Sequence, residues 1–152
     1  RLPERFLTFS VVSATDRKRR VRPLNACAPK NSSVLRCAAL GHQSVGLELN
    51  ILLVLYSKYK ARHQHLSHLA AFHRKDIFRA DLTKYRSAVI FGTERVMDDL
   101  VPKLDEMLTG SYLIAFRFPL PSNTRWRLIW KVEAGIDSVW LYEKCPYIVP
   151  NS

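Results

Sequence analysis

Long apolar runs are missing from this chain. None approaches the roughly 18 residues that a membrane-spanning helix needs. The longest candidate, residues 51–55, belongs to an amphipathic pattern, so no transmembrane segment is expected in these 152 residues. Paired cysteines are missing too. Cys27, Cys37 and Cys145 make an odd count with no C-x-x-C spacing, which speaks against a disulfide framework or a structural zinc site. Four histidines, His63, His65, His68 and His73, are spaced around a helix end rather than along one face. That is the pattern of a solvated terminus more than of a metal centre, and no metal is expected. Acids are scarce: 24 Lys and Arg stand against 13 Asp and Glu, for a net charge of +11. The excess is concentrated in residues 1–36, where nine cations face two acids, and is densest at Arg17–Arg20. No aromatic residues interleave with that run to stack bases, so specific nucleic-acid binding is not expected.

What remains is enough for one domain with a sizeable core. Residues 1–31 are read as an irregular basic arm, interrupted by Pro3, Pro23 and Pro29. From Ser32 the pattern turns globular. Val34, Leu35, Ala38 and Ala39 fit a short helix closed near Gly41. Residues 45–49 read as a buried strand, and Asn50 is a good N-cap for the helix that follows. Leu52, Leu55, Tyr56, Tyr59 and His63 recur at helical spacing and form its expected apolar face. Further strands are expected at 69–74, at the wholly apolar run 88–91, and at 112–118. A helix carrying Val96, Met97, Leu100, Val101, Leu104 and Leu108 separates the last two, with Pro102 expected to kink or split it. Residues 126–132 and 136–142 read as an antiparallel hairpin around Glu133-Ala134-Gly135. Alternation of this kind predicts an α/β fold with a mostly parallel sheet covered on both faces.

One stretch carries chemistry. Residues 44–50, SVGLELN, end a β-prone run on Glu48, just before a helix begins. In open α/β sheets, ligands bind beyond the carboxyl ends of the strands, and an acid at the end of the second strand can accept hydrogen bonds from both hydroxyls of a ribose. Such an acid stands about 20 residues after a glycine-rich loop. Counting back from Glu48 reaches Asn25–Asn31, which contains no glycine.

From about Val34 to Glu143 the chain resembles the small mitochondrial lysine methyltransferases that modify the ATP synthase c subunit and the adenine nucleotide translocase. The matching pieces are SVGLELN at 44–50, YSKYKAR at 56–62, RKDIF at 74–78 and AVIFG at 88–92. KLDEML at 103–108, RFPLP at 117–121 and GIDSVWLYE at 135–143 complete them. No single piece is specific; seven in order and at the right spacing are. The resemblance implies a Rossmann-like class I methyltransferase sheet with a C-terminal antiparallel hairpin, over residues 32–143, followed by a tail at 144–152. It implies S-adenosylmethionine as cofactor, with Glu48 on its ribose, Asp76 near the adenine or its loop, and Gly92 at the end of the fourth strand. Thr93, Phe118 and Pro119 fall where the methyl group and target amine should meet, and Phe118 or Trp126 is a candidate aromatic wall for the lysine. It implies protein-lysine N-methylation of a mitochondrial inner-membrane protein and a mitochondrial location. No general base can be named from the residues.

The departures from the family pattern concern the N-terminus. Family members carry a D-x-G-x-G-D-G-R type loop, and a gap-free match puts Asn25, Cys27, Pro29 and Asn31 at its first acid and three glycines. Pro29 fixes φ near −65° and lacks a donor, so it cannot imitate a glycine there. Members also carry an N-terminal hydrophobic segment that is not seen in this sequence. Residues 20–24, RVRPL, put charges and a proline where a central strand needs apolar residues and paired N–H groups. The first strand and the glycine-rich loop therefore read as degraded or missing. Residues 1–31 are expected to be mobile, with an unpaired sheet edge where the strand belongs. Two other readings follow: an inactive methyltransferase-fold relative or truncated isoform acting as an interaction module, and, from charge alone, a basic nucleic-acid-binding protein.

Overall fold

A computed structural model describes residues 8–13, 32–122, 124–133, 135 and 138–146. The elements are β1 (Thr8–Ser13), α1 (Ser32–Ala39), β2 (Gln43–Glu48), α2 (Ile51–His63) and β3 (Ala70–Arg74). A 3-10 turn (Ile77–Arg79) leads to β4 (Ser87–Phe91), α3 (Glu94–Leu104) and β5 (Tyr112–Phe116). β6 (Trp126–Val132) and β7 (Val139–Lys144) complete the elements among the described residues. The seven strands form one sheet in the order β3-β2-β1-β4-β5-β7-β6. β2 runs parallel to β3 and β4 parallel to β5, while β7 lies antiparallel between β5 and β6. The expected α/β sheet with a terminal antiparallel hairpin is the fold observed.

The local signals explain most of the elements. Asn50 caps α2 by accepting the Leu52 amide at 2.9 Å, and Asp76 caps the 3-10 turn by accepting the Phe78 amide at 3.0 Å. α1 ends as expected at Gly41, whose φ of +86° suits a residue without a Cβ. The Gly41 amide donates to Ala38 at 2.9 Å and the His42 amide to Cys37 at 3.0 Å, the paired bonds of a Schellman motif. Thr93 precedes α3 without a side-chain cap bond. Pro102 does not split α3; it sits within the last turn, and the helix ends two residues later.

The central strand departs from expectation. The slot between β2 and β4 does not expose an unpaired edge: Thr8–Ser13, within the stretch read as an irregular arm, fills it antiparallel to both neighbours. Residues 20–24, expected at this place, lie outside the described residues. A ladder in either direction satisfies the donors and acceptors of β2 and β4, and TFSVVS is rich in residues that favour strands.

Two apolar clusters lie on the two faces of the sheet. On one, Val96, Met97, Leu100 and Leu104 of α3 pack with Leu47, Ala88, Ile90, Leu113, Ala115 and Tyr142. On the other, α1 and α2 contribute Val34, Leu35, Ala38, Val54 and Ala61 against Ala70 and Phe72. The expected apolar face of α2 is not in this second cluster. Leu52, Leu55, Tyr56 and Tyr59 are exposed, and the helix is buried through Val54, Ser57 and Ala61 instead. Small residues let the helix lie close to the sheet; the large ones at the predicted spacing point away. Leu108, placed on the α3 face by its spacing, lies beyond the end of that helix and is exposed. Lys144, expected to open the tail, closes β7: it is buried, and its ammonium donates to the Asp105 and Met107 carbonyls. Burial lowers its pKa from the ordinary lysine value, opposed by the Asp105 carboxylate.

Two substitutions test this packing. Gly46 of β2 faces Phe72 of β3 in register, and a Cβ there would lie 2.7 Å from Phe72 Cδ1, 3.0 Å from Cε1 and 3.4 Å from Val34 Cγ2. Phe72 and Val34 are themselves buried, so Gly46→Ala is expected to cost about 1–3 kcal/mol in a denaturant titration; an unchanged midpoint would show that the ring is free to move. The Tyr142 hydroxyl accepts the Leu120 amide at 3.1 Å in the interior. Tyr142→Phe leaves that amide without its acceptor and should cost about 1–3 kcal/mol, whereas Tyr112→Phe, at an exposed ring, should change stability by less than about 0.5 kcal/mol.

Candidate active site

The carboxyl ends of the parallel strands form one level row. Thr8 pairs with Glu48 on one side and with Phe91 on the other. Glu48 pairs in turn with Arg74, and Phe91 with Phe116. With strands about 4.8 Å apart, the backbones at Glu48 and Phe91 stand about 10 Å from each other.

Glu48 is 7% exposed. Burying a carboxylate is costly unless it is hydrogen-bonded, and here Oε1 accepts the Asn50 amide at 3.0 Å. That amide belongs to the N-cap of α2, so the carboxylate also lies at the positive end of the helix dipole. The backbone around it is tied to β3: the Lys75 amide donates to the Glu48 carbonyl at 3.2 Å, and Arg74 Nε to the Leu49 carbonyl at 3.3 Å. Asp76 is two residues past β3, half-buried, with Oδ1 engaged by the Phe78 amide. Gly92 and Thr93 follow β4 directly and lead into α3. Phe118 and Pro119 lie just beyond β5, with Phe118 half-buried against the α3-side core and Pro119 exposed. Glu48, Asp76, Gly92, Thr93, Phe118 and Pro119 thus share one edge of the sheet.

Trp126 does not share it. It begins β6 opposite Lys144, at the other end of the sheet, and is buried in the core; it cannot serve as an aromatic wall at this edge. The aromatic pair that does stand there is Phe91 and Phe116, stacked with ring centroids 4.4 Å apart and planes 11° from parallel. Both close a parallel strand, a signal legible as the phenylalanines that end AVIF and YLIAF. Next to Phe116, Arg117 adopts φ of +70°, uncommon for a residue with a side chain, while its amide donates to the Ser138 carbonyl at 2.9 Å.

This edge fits half of a nucleoside cofactor. A buried acid at the end of β2 is suited to ribose hydroxyls. For the other half there is no glycine cradle among the described residues. Because β1 is antiparallel, its first residue Thr8 lies at the Glu48 edge and its last, Ser13, lies opposite Gln43 at the far edge. A parallel first strand would instead deliver its following loop to the ligand side. The edge presents an acid, backbone groups and an aromatic pair, a set suited to binding and aligning reactants.

A family model for the ANTKMT methyltransferase domain matches residues 31–127, beginning where the sequence pattern becomes globular. The chain is 50% identical over 111 residues to a lysine N-methyltransferase of Caenorhabditis elegans named for the ATP synthase c subunit, covering 73% of this chain and 58% of that protein. The human protein of the same name is 36% identical over 111 residues, covering 72% of this chain and 46% of its own. An adenine nucleotide translocase lysine N-methyltransferase of Mus musculus is 32% identical over 101 residues, covering 66% and 43%. The chain thus spans about half the length of the curated relatives it matches. Among solved structures, an RNA methyltransferase from Salinibacter ruber in complex with S-adenosyl-L-homocysteine superposes with a TM-score of 0.69 at 21% identity, covering 78% of this chain and 76% of that one. That likeness supports the fold. On the family match and the identities, the chain belongs to the ANTKMT methyltransferase domain family.

Proposed function

We propose that this chain carries the reaction edge of an S-adenosylmethionine-dependent protein-lysine N-methyltransferase that acts on a mitochondrial inner-membrane protein. The relatives named for the ATP synthase c subunit and for the adenine nucleotide translocase support the substrate class and a mitochondrial location. The observation that carries the reading is Glu48, buried at the end of β2 and level with the end of β4.

In this reading Glu48 holds the ribose, and Asp76 approaches the adenine side. Bound S-adenosylmethionine supplies an activated methyl group. The task left to the chain is alignment, which alone accounts for much of the rate in reactions of this kind. Gly92 and Thr93 border the target amine, and Phe118 and Pro119 close the pocket beyond β5. Phe91 and Phe116 add an apolar, aromatic wall that favours the neutral lysine needed as nucleophile, since desolvation lowers a lysine pKa.

The antiparallel β1, with no glycine cradle among the described residues, favours a second reading for the chain as it stands: a methyltransferase-fold module that binds cofactor poorly and acts through its surfaces. Titration calorimetry with S-adenosylhomocysteine separates the two. We expect weak binding by the present chain and at least tenfold tighter binding by a chimera in which residues 1–31 are replaced by an apolar strand followed by a D-x-G-x-G-D-G-R loop. In that chimera Glu48→Ala should weaken binding at least tenfold, because hydrogen bonds to a charged acceptor contribute roughly 1.5–3 kcal/mol each; loss of the acceptor for the Asn50 amide should also lower stability by about 1–3 kcal/mol. Unchanged affinity on removing Glu48 would refute its ribose role, and tight binding by the present chain would refute the need for the loop.

A further inference from the structure

The outward face of α2 is an exposed apolar feature that the cofactor edge leaves unused. Leu52 is 71% exposed, Tyr59 65%, Leu55 55% and Tyr56 53%. At about 100° per residue, Leu55, Tyr59 and Leu52 fall within an arc of about 60°, with Tyr56 beside them. The stripe continues at the helix start through Leu49 and Ile51, both exposed, to within a few residues of Glu48. Cations border it: Lys58 and Arg62 lie on one side and Lys60 on the other, and α2 contains no acid. Lys60 extends over the Tyr56 ring, its ammonium 4.9 Å from the centroid.

We propose that this face docks on the surface of an anionic phospholipid bilayer, with α2 lying in the plane of the interface. An exposed apolar stripe flanked by Lys and Arg can lie in the headgroup region as the outer face of an interfacial helix does, while Val54, Ser57 and Ala61 hold the opposite side against the sheet. The chemistry matches at each level of the interface. Leucines enter the acyl boundary, tyrosines suit the headgroup level with their apolar rings and polar tips, and long cationic side chains extend toward lipid phosphates. A second copy of the chain fits the face less well. A two-fold contact centred on the stripe would set Lys58, Lys60 and Arg62 against their own equivalents, and like charges across an interface are unfavourable. With α2 against the bilayer, the end of β2 and the start of α2 approach the membrane surface. The proposal does not depend on cofactor binding.

The test is sedimentation of the whole chain with phosphatidylcholine vesicles, with and without phosphatidylglycerol. Binding is expected with the anionic vesicles and to be weak with the neutral ones. The basic arm at Arg17–Arg20 is able to bind anionic vesicles by charge alone, so the apolar stripe has to be tested separately. The variant Leu52→Ser/Leu55→Ser/Tyr59→Ser changes only exposed side chains and should retain the parent melting curve while losing affinity at least about tenfold. A second variant, Tyr59→Trp, reports insertion directly: brominated lipid should quench its emission beyond the quenching of the parent's own tryptophans. Absence of binding to anionic vesicles, undiminished binding by the triple variant, or no added quenching at position 59 would each overturn the proposal. So would a dimer in light scattering, without lipid, that the triple variant abolishes; it would assign the face to a second copy.

Discussion

The structure depends on one slot. β2 and β4 do not pair with each other; each pairs with Thr8–Ser13. Without that strand the sheet would divide into β3-β2 and β4-β5-β7-β6, and two rows of backbone donors and acceptors would lose their partners. Buried backbone groups are almost always paired, so a strand of some kind has to be recruited. The ladder needs a six-residue extended segment; it does not specify the segment's direction or its origin in the chain. This explains how a stretch lacking the family's first-strand pattern still completes a seven-stranded sheet.

Completing the sheet and completing the site are therefore separate demands. An antiparallel β1 meets the first demand: it levels the ends of β2 and β4 and keeps Glu48 and Phe91 in one row. It works against the second, because the end of a strand determines where the next loop begins. A parallel strand ends at the ligand edge; β1 begins there. The acid at the end of β2, the aromatic pair of β4 and β5, and the residues beyond β5 are positioned by interactions that do not involve the glycine loop. One half of the candidate site can thus be laid out in a chain whose described residues hold no glycine cradle.

Much of this is legible from local chemistry. The apolar run ending at Glu48, the Asn50 cap, the Gly41 closure and the run 88–91 appear where the residues predict them, because each is specified by neighbours in sequence. The terminal hairpin forms too, with its second strand at Val139–Lys144 rather than 136–142, and residues 136–137 lie outside the described residues. The misses arise where distant residues decide. Thr8–Ser13 reads as part of an irregular arm although TFSVVS is strand-prone, because the first strand is expected at the position set by the glycine loop. Trp126 is a candidate aromatic wall by its chemistry, yet β6 begins at the far end of the sheet. Phe91 and Phe116 are 25 residues apart and meet only through the β4–β5 register. Their pairing is visible in sequence only once both runs are recognised as adjacent parallel strands.

The α2 helix shows the same limit in another form. Its apolar spacing is genuine, but periodicity identifies a face, not what covers it. Val54, Ser57 and Ala61 also share a face, and their small volumes permit a close approach to the sheet that the leucines and tyrosines would prevent. The Ser57 hydroxyl is satisfied by the Leu53 carbonyl at 2.7 Å, so burying it leaves no unpaired donor. Packing thus selects the less apolar side and turns the more apolar one outward. A soluble monomer gains nothing from that choice, since the exposed leucines and tyrosines forgo burial that stabilises by roughly 1.5–3 kcal/mol per large side chain. The arrangement becomes favourable when something apolar covers the outer face as well, and the cations that border it narrow that covering to a surface of negative charge.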